Sequence, residues 1–219
     1  MGKTMDLLSV NIGLMRTQPR GAELETTGIY KLSASGSVHI GRLGIDGDFI
    51  GDTDNHGGPD QAIYVYGEED YTWWSGALGH RLEAGTFGEN LTISGLQSAA
   101  FAIGDRLRIG ALVLEVSAPR TPCSTLARRM GDPLFVKKFS RAERPGLYCR
   151  VIHEGAVRAG DAVGIEPREG STVGVVDMFR QHYHPEQRQL GQRLLEAPIS
   201  ARARVEIERQ LAKPGPGKS

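Results

Sequence analysis

Glycine placement does most to limit what this chain can fold into. Its 29 glycines fall at turn-like intervals. Between them sit short alternating apolar segments at residues 7–12, 38–40, 62–66, 91–93, 107–109, 112–116, 147–152 and 163–165. Alternation at period two suits strands with one buried face. Many short strands joined by Gly-rich turns read as a barrel or sandwich, not as a βαβ array. A weak internal echo fits this picture. Ile103-Gly104-Asp105-Arg106-Leu107 resembles Ala159-Gly160-Asp161-Ala162-Val163, each a Gly-Asp turn entering a strand, and the likeness reads as shared hairpin chemistry rather than as a repeat fold.

Helical signals are sparse before residue 167. Glu68-Glu69-Asp70 opens a helix through Trp73 and Trp74, with acids where the N-terminal dipole favours them. Asp132 followed by Pro133 predicts a capped helix from Leu134 to Arg141. The two tryptophans are expected in core or interface packing rather than as a platform for bases. After Pro167 the composition shifts. The expected layout is a strand-rich domain over 1–167, a polar linker over 168–172, three short helices over 173–212 and a disordered tail over 213–219. Val175, Val176 and Phe179 mark the first of these helices. Pro185 begins the second, with Leu190, Leu194 and Leu195 on its apolar face, and Ser200 caps the third. The fold class is therefore α+β and mainly β, with a small C-terminal three-helix unit. Such a unit is too small to be very stable alone. It should pack on the barrel or on a partner chain, which leaves a homodimer open.

Charge excludes whole classes of partner. The 26 basic and 26 acidic side chains cancel, whereas a general nucleic-acid or membrane-surface binder usually carries a basic excess. Any anion must then meet a local basic cluster. No segment approaches the roughly 20 apolar residues of a membrane span. Residues 1–6 lack the apolar stretch of a secretory signal. The expectation is a cytoplasmic protein, with no nucleic acid and no membrane as partner, whose two cysteines are reduced.

Cys123 is the candidate for chemistry. It follows Pro119-Arg120-Thr121-Pro122, which should end the preceding strand, and it precedes a short basic helix through Leu126, Arg128 and Arg129. A thiol between a strand end and a helix start, beside arginines, has the surroundings that favour thiolate. Cys149, inside an alternating run, reads as a small buried hydrophobe. Two loops entering strands could present polar groups: Asp54-Asn55-His56-Gly57-Gly58-Pro59-Asp60-Gln61, and Gly85-Thr86-Phe87-Gly88-Glu89-Asn90. The paired glycines of the second loop allow close backbone approach to a ligand. His182-Tyr183-His184 has no cysteine or acid at zinc-finger spacing and reads as solvated histidines. The Gly41-x-x-Gly44-x-x-Gly47 run does not match a dinucleotide-binding fingerprint.

Taken in order, these segments resemble the MOSC domain, named after the C-terminal domain of molybdenum-cofactor sulfurase. The resemblance rests on Thr27-Gly28-Ile29-Tyr30-Lys31, Gly44-Ile45-Asp46-Gly47-Asp48, His56-Gly57-Gly58-Pro59-Asp60-Gln61-Ala62, Phe87-Gly88-Glu89-Asn90-Leu91, Ile103-Gly104-Asp105 and Pro119-Arg120-Thr121-Pro122-Cys123. It covers most of residues 5–167, and the helical tail looks like the extension of the bacterial YiiM-like branch. The chain departs from the family pattern in lacking a proline near Ser33.

The resemblance implies a strand-rich barrel that binds the molybdenum cofactor (molybdenum–pyranopterin). It also implies reduction of small N-hydroxylated compounds, such as hydroxylaminopurine-type base analogues, to amines. By the same resemblance Cys123 is the molybdenum ligand. Arg120 heads a pool of cations for the pterin phosphate that includes Arg128, Arg129, Lys137, Lys138 and Arg144. Gly88, Asn90 and Lys31 are the other expected cofactor contacts. His56, Asp60 and Glu89 join Cys123 as expected catalytic groups that orient substrate or move protons. The chain has no flavin, haem or iron–sulfur motif, so an external electron-donor reductase is implied. Three other readings stay open. They are a non-catalytic carrier or sulfur-transfer protein for the cofactor, a Cys-dependent hydrolase or transferase with His56 as base, and a nucleotide-binding module without cofactor.

Overall fold

The eight alternating segments all become strands, and their partners explain why they are so short. A computed structural model of the protein describes residues 5–170 and 172–213. In chain order its elements are β1 (Met5–Gly13), β2 (Arg16–Arg20), β3 (Glu23–Thr27), β4 (Lys31–Ser33), β5 (Val38–Gly41), β6 (Gly44–Ile45), β7 (Ile63–Gly67), α1 (Glu68–Leu78), β8 (Leu91–Ile93) and β9 (Arg106–Ile109). There follow β10 (Leu112–Ala118), α2 (Ser124–Arg129), α3 (Phe135–Ala142), β11 (Leu147–His153), β12 (Gly155–Val157), β13 (Ala162–Glu166), α4 (Val175–Tyr183), α5 (Arg188–Leu195) and α6 (Ala201–Ala212).

Seven strands close into a barrel in the order β13-β9-β10-β11-β7-β8-β1, with β1 returning to pair with β13. Met5 lies opposite Val163 at that seam. All pairings around the barrel are antiparallel except β7 with β8. Closure removes the open edges that a flat sheet would leave. Leu7, Ile63, Val65, Leu91, Ile93, Leu107, Leu114 and Leu147 are all fully buried in its core. β10 is buried along its whole length, because β12 and the start of α6 also lie against it. The two Gly-Asp turns share one geometry. Asp105 accepts from the Ala102 amide at 2.8 Å and Asp161 from the Arg158 amide at 2.8 Å, each beside a glycine of positive φ. They feed β9 and β13, which pair with each other.

An aromatic cluster joins the helices to the barrel. Phe135 and Phe139, one helical turn apart on α3, pack on Trp74 of α1. Phe87 stacks on Tyr66 at 4.5 Å between ring centroids. Trp74 is a core residue, while Trp73 is half-exposed with the Arg144 guanidinium over its ring. The helical tail runs back over the barrel: Ile103 donates to Val173, and Val175 donates to Phe101.

Several boundaries differ from the expected ones. β2 and β3 form a two-stranded ribbon whose residues are mostly exposed, so it carries no apolar alternation to read. β4, β6 and β12 are only two or three residues long. The second tail helix begins at Arg188 instead of Pro185; Gln187 donates to the His184 carbonyl and Arg188 to that of Glu186, so Pro185 sits in a turn. α3 starts at Phe135, because Asp132 instead closes a turn by accepting from the Leu134 amide at 2.9 Å. The expected disordered tail lies, apart from Lys213, outside the described residues.

Candidate functional site

The prolines stop β10 at Ala118 and turn the chain, so Cys123 becomes the residue that caps α2. It faces a cavity of about 730 Å³. β7 and β11 supply one wall. Tyr64 and Tyr148 are opposite residues in their register, with ring centroids 5.0 Å apart. The loop through Asp48 and His56, the ribbon residue Glu25, and Gly88 with Asn90 complete the lining.

Three groups act on the Cys123 sulfur. Burial alone would raise its pKa, but a hydrogen bond from His56, the charge of Arg120 and the Leu126 amide outweigh it and bring the thiol down to about 6. His56 Nδ1 also lies 3.1 Å from the Tyr148 hydroxyl. Burial pushes that phenol up, against the pull of Arg120, so Tyr148 stays protonated. The result is a short polar chain from Cys123 through His56 to Tyr148.

Arg120 is 4% exposed. Nη1 donates to the Phe87 carbonyl, the guanidinium lies 5.0 Å over the Tyr64 ring, and Nε has no partner among the described residues. Gly88 sits against it. A Cβ there would come within 2.9 Å of Ile29 and 3.4 Å of Arg120, and φ is +74°. A side chain at 88 would crowd the cavity and strain the turn.

Lys31 and Asn90 line the cavity but are engaged by Asp48. The Lys31 ammonium contacts both Asp48 oxygens, one at 2.5 Å. Asn90 Nδ2 donates to Asp48 at 2.8 Å, and the Gly13 amide donates at 2.7 Å. Burial lowers the Lys31 pKa and Asp48 only partly offsets it. Asn90 also accepts from the Tyr64 amide at 3.1 Å, fixing the loop to β7.

Four other expected residues point elsewhere. Glu89, between Gly88 and Asn90, faces away from the cavity they line. One Glu89 oxygen accepts from Tyr71 at 2.6 Å, Gly85 at 2.6 Å and Thr92 at 2.8 Å, and burial pushes this carboxyl up. Asp60 accepts from Arg150 at 3.0 Å and from the Ala201 amide at 2.7 Å, so it ties the barrel to α6. Arg144 pairs with buried Asp70 at 2.7 Å and lines a separate cavity of about 370 Å³ with Glu143 and Arg180. Arg128 stops behind the cavity wall, paired with Glu25 and Thr125. Of the remaining cations, Arg129 is held by the Thr86 and Gly85 carbonyls and Lys138 by Asp132 at 2.7 Å, and Lys137 is exposed.

Sequence reasoning missed Tyr64, Tyr148 and Asp48 as site residues. The tyrosines were readable as members of alternating strands, but only the β7–β11 pairing puts them face to face. Asp48 stood within one of the matched motifs, without a partner to mark it.

A family model described as the MOSC domain matches residues 52–164. The chain belongs to the MOSC domain family. The matched stretch holds His56, Gly88, Arg120, Cys123 and Tyr148, while Lys31 and Asp48 precede it. An uncharacterized Bacillus subtilis protein, YflK, is 37% identical over 178 residues, covering 81% of this chain and 80% of its own. A protein named "Reductase" from Gibberella moniliformis is 31% identical over 178 residues, which span 80% of this chain but 31% of that one. YiiM of Escherichia coli is 30% identical over 155 residues, 69% of this chain and 68% of its own. The crystal structure of YiiM from Geobacillus stearothermophilus superposes with a TM-score of 0.78 at 28% identity, covering 95% of this chain and all of that one. The chain is thus of the YiiM-like branch. MOSC membership associates it with the molybdenum cofactor. Among the described residues, no helix is long and apolar enough to cross a membrane.

Proposed function

We propose that this protein is a molybdenum-cofactor enzyme that reduces N-hydroxylated compounds to amines, with Cys123 as the protein ligand to the metal. The observation that carries this reading is a thiol lowered to about 6 on the wall of a roomy cavity, beside a buried guanidinium with an unpartnered nitrogen. The donor set fits the cofactor. Among the described residues, no group of three or more His, Cys, Asp or Glu is placed to hold a bare metal ion. A metal at Cys123 would therefore bring ligands of its own, as the pterin dithiolene does, and a soft thiolate suits such a centre.

The roles of the chain's own groups follow from their surroundings. Cys123 would hold the metal and Arg120 an anionic part of the cofactor, while Gly88 leaves room beside them. Asp48 holds Lys31 and Asn90 in place at the cavity wall. His56 and Tyr148 share a hydrogen bond in which a proton sits between Nδ1 and the phenol oxygen, and they are the groups placed to pass protons to a bound substrate. When bound, the cofactor supplies two-electron chemistry at the N–O bond. The balanced conversion takes R–NHOH, two electrons and two protons to R–NH2 and water. The electrons come from an external reductase, and a cytoplasmic setting keeps Cys123 reduced.

The test is molybdenum analysis of wild type and Cys123→Ala produced in a host that makes the cofactor, followed by an N-hydroxylated purine assay with an artificial donor. Wild type should carry molybdenum and turn over, and the variant should carry none. Equal metal in both, or none in either, sinks the ligand assignment. A loaded but inert wild type would favour a carrier or sulfur-transfer protein. One observation favours a second reading: the Cys123–His56 contact also suits a Cys-dependent hydrolase or transferase. Metal-free protein that forms a covalent adduct with an activated ester at Cys123 would choose that reading.

A further inference from the structure

We propose that Arg202, on the first turn of α6, is a positioning residue for the cavity. It holds the loop that carries His56, so that the helical tail completes the site from behind. This inference rests on the cavity's geometry and stands whether or not the site takes a cofactor.

Residues 51–55 are all exposed. The loop has little apolar anchoring, and pinning an exposed segment costs backbone entropy. One internal turn supports it: the His56 amide donates to the Asp52 carbonyl at 3.0 Å, and the Asn55 amide to the Asp52 side chain at 3.1 Å. Arg202 then fastens that turn from outside. Its Nη2 donates to the Thr53 carbonyl at 2.7 Å, and its Nη1 to the Gly57 carbonyl at 3.3 Å and to Gln61 Oε1 at 3.3 Å. These carbonyls flank His56 on both sides in sequence. A planar fork of donors suits this bridging, which a single ammonium does less well.

The base from which Arg202 reaches is itself fixed to the site's own elements. Ser200 donates its amide to the Ser117 carbonyl at 3.0 Å, at the end of β10 that leads to Arg120. Ala201 donates to Asp60 at 2.7 Å. Arg150 of β11 donates to the Pro198 carbonyl at 3.0 Å and to that of Ile199 at 3.2 Å. Ser117 Oγ in turn donates to the Tyr148 carbonyl at 3.1 Å. The start of α6 is thus stapled to strands bearing Arg120 and Tyr148, and Arg202 extends that staple to His56. The Arg202 charge is also felt at the Tyr148 phenol, although burial dominates there. Asp60 acts in this assembly as a joint between barrel and tail.

The test compares Arg202→Ala, Arg202→Lys and Arg204→Ala in the full chain, with Tyr148→Phe as the reference for a His56 ring that has lost its phenol partner. Arg204 is a tail-internal control, because among the described residues its guanidinium donates only to the Leu195 and Ala197 carbonyls. Three readouts are taken: amide hydrogen exchange, thermal unfolding and the His56 ring cross-peaks in a proton–carbon spectrum. Arg202→Ala should speed exchange of the 53–57 amides about tenfold with the barrel unchanged, and should move the His56 cross-peaks toward their positions in Tyr148→Phe. Arg202→Lys should recover part of the protection. Unchanged exchange in Arg202→Ala overturns the proposal, as do faster loop exchange with unmoved His56 peaks and an equal effect in Arg204→Ala. Faster exchange spread across α5 and α6 would assign Arg202 to tail folding and overturn it as well.

Discussion

The two cysteines are near neighbours with opposite chemistry. Cys149 lies on β11 directly opposite Val116 of β10, and Cys123 follows the end of that same β10. Cys149 is fully buried among apolar side chains, and burial pushes its thiol far up. Cys123 is also largely shielded, yet His56 and Arg120 bring it down to about 6. Burial is common to both and cannot account for the difference. Arg150 acts on Cys149 as Arg120 does on Cys123; what separates them is that the turn at Pro119 and Pro122 brings Cys123 to hydrogen-bond donors, His56 and the Leu126 amide.

The largest effect that would break this contrast is selective labelling. At pH 7 iodoacetamide should modify Cys123 at least about a thousandfold faster than Cys149 in the folded protein, read by mass spectrometry of tryptic peptides. Comparable rates would mean the two environments are not distinct. Next in size is the pH profile of Cys123. Its labelling rate should rise with pH and reach half its maximum near 6. His56→Ala removes a donor to the thiolate, so the half-point should move upward and the rate at pH 7 should fall about tenfold. An unmoved profile would leave the shift to Arg120 and the Leu126 amide.

A third effect concerns stability. Cys149→Ser buries a hydroxyl in an apolar strand and should cost about 1–3 kcal/mol by denaturant unfolding. Cys123→Ala, on a cavity wall, should cost less. The smallest effect is the pH dependence of that second difference. The thiol falls from an ordinary value of 9.0 to about 6 on folding. Thiolate stabilisation is therefore complete above the unfolded value and is lost as pH falls through 6. The gap between wild type and Cys123→Ala should widen from pH 6 to pH 9, and a flat gap would count against a thiolate in the folded state.

How far the sequence could be read differs in the same way between strands and loops. The barrel was legible because its strands carry period-two alternation over a shared core, as in residues 112–116. The β2–β3 ribbon was not, since a ribbon outside the core leaves no apolar trace. At the site, Cys123 and Arg120 were legible from local chain direction, with proline ending a strand before a helix. Glu89 and Asp60 sat in the right loops but face away from the cavity. In a loop the side a residue faces depends on partners distant in sequence, here Thr92 and Tyr71 for Glu89, and Arg150 and Ala201 for Asp60. Tyr148 and Asp48 needed the same kind of knowledge in reverse.

The seam where β1 meets β13 sets when the barrel can close. The barrel's first strand pairs with its last, so closure must wait for nearly the whole domain and brings together segments that are remote in sequence. Such long-range pairing slows folding. Until β13 docks, the edge of β1 that it covers stays unpaired and open to wrong partners.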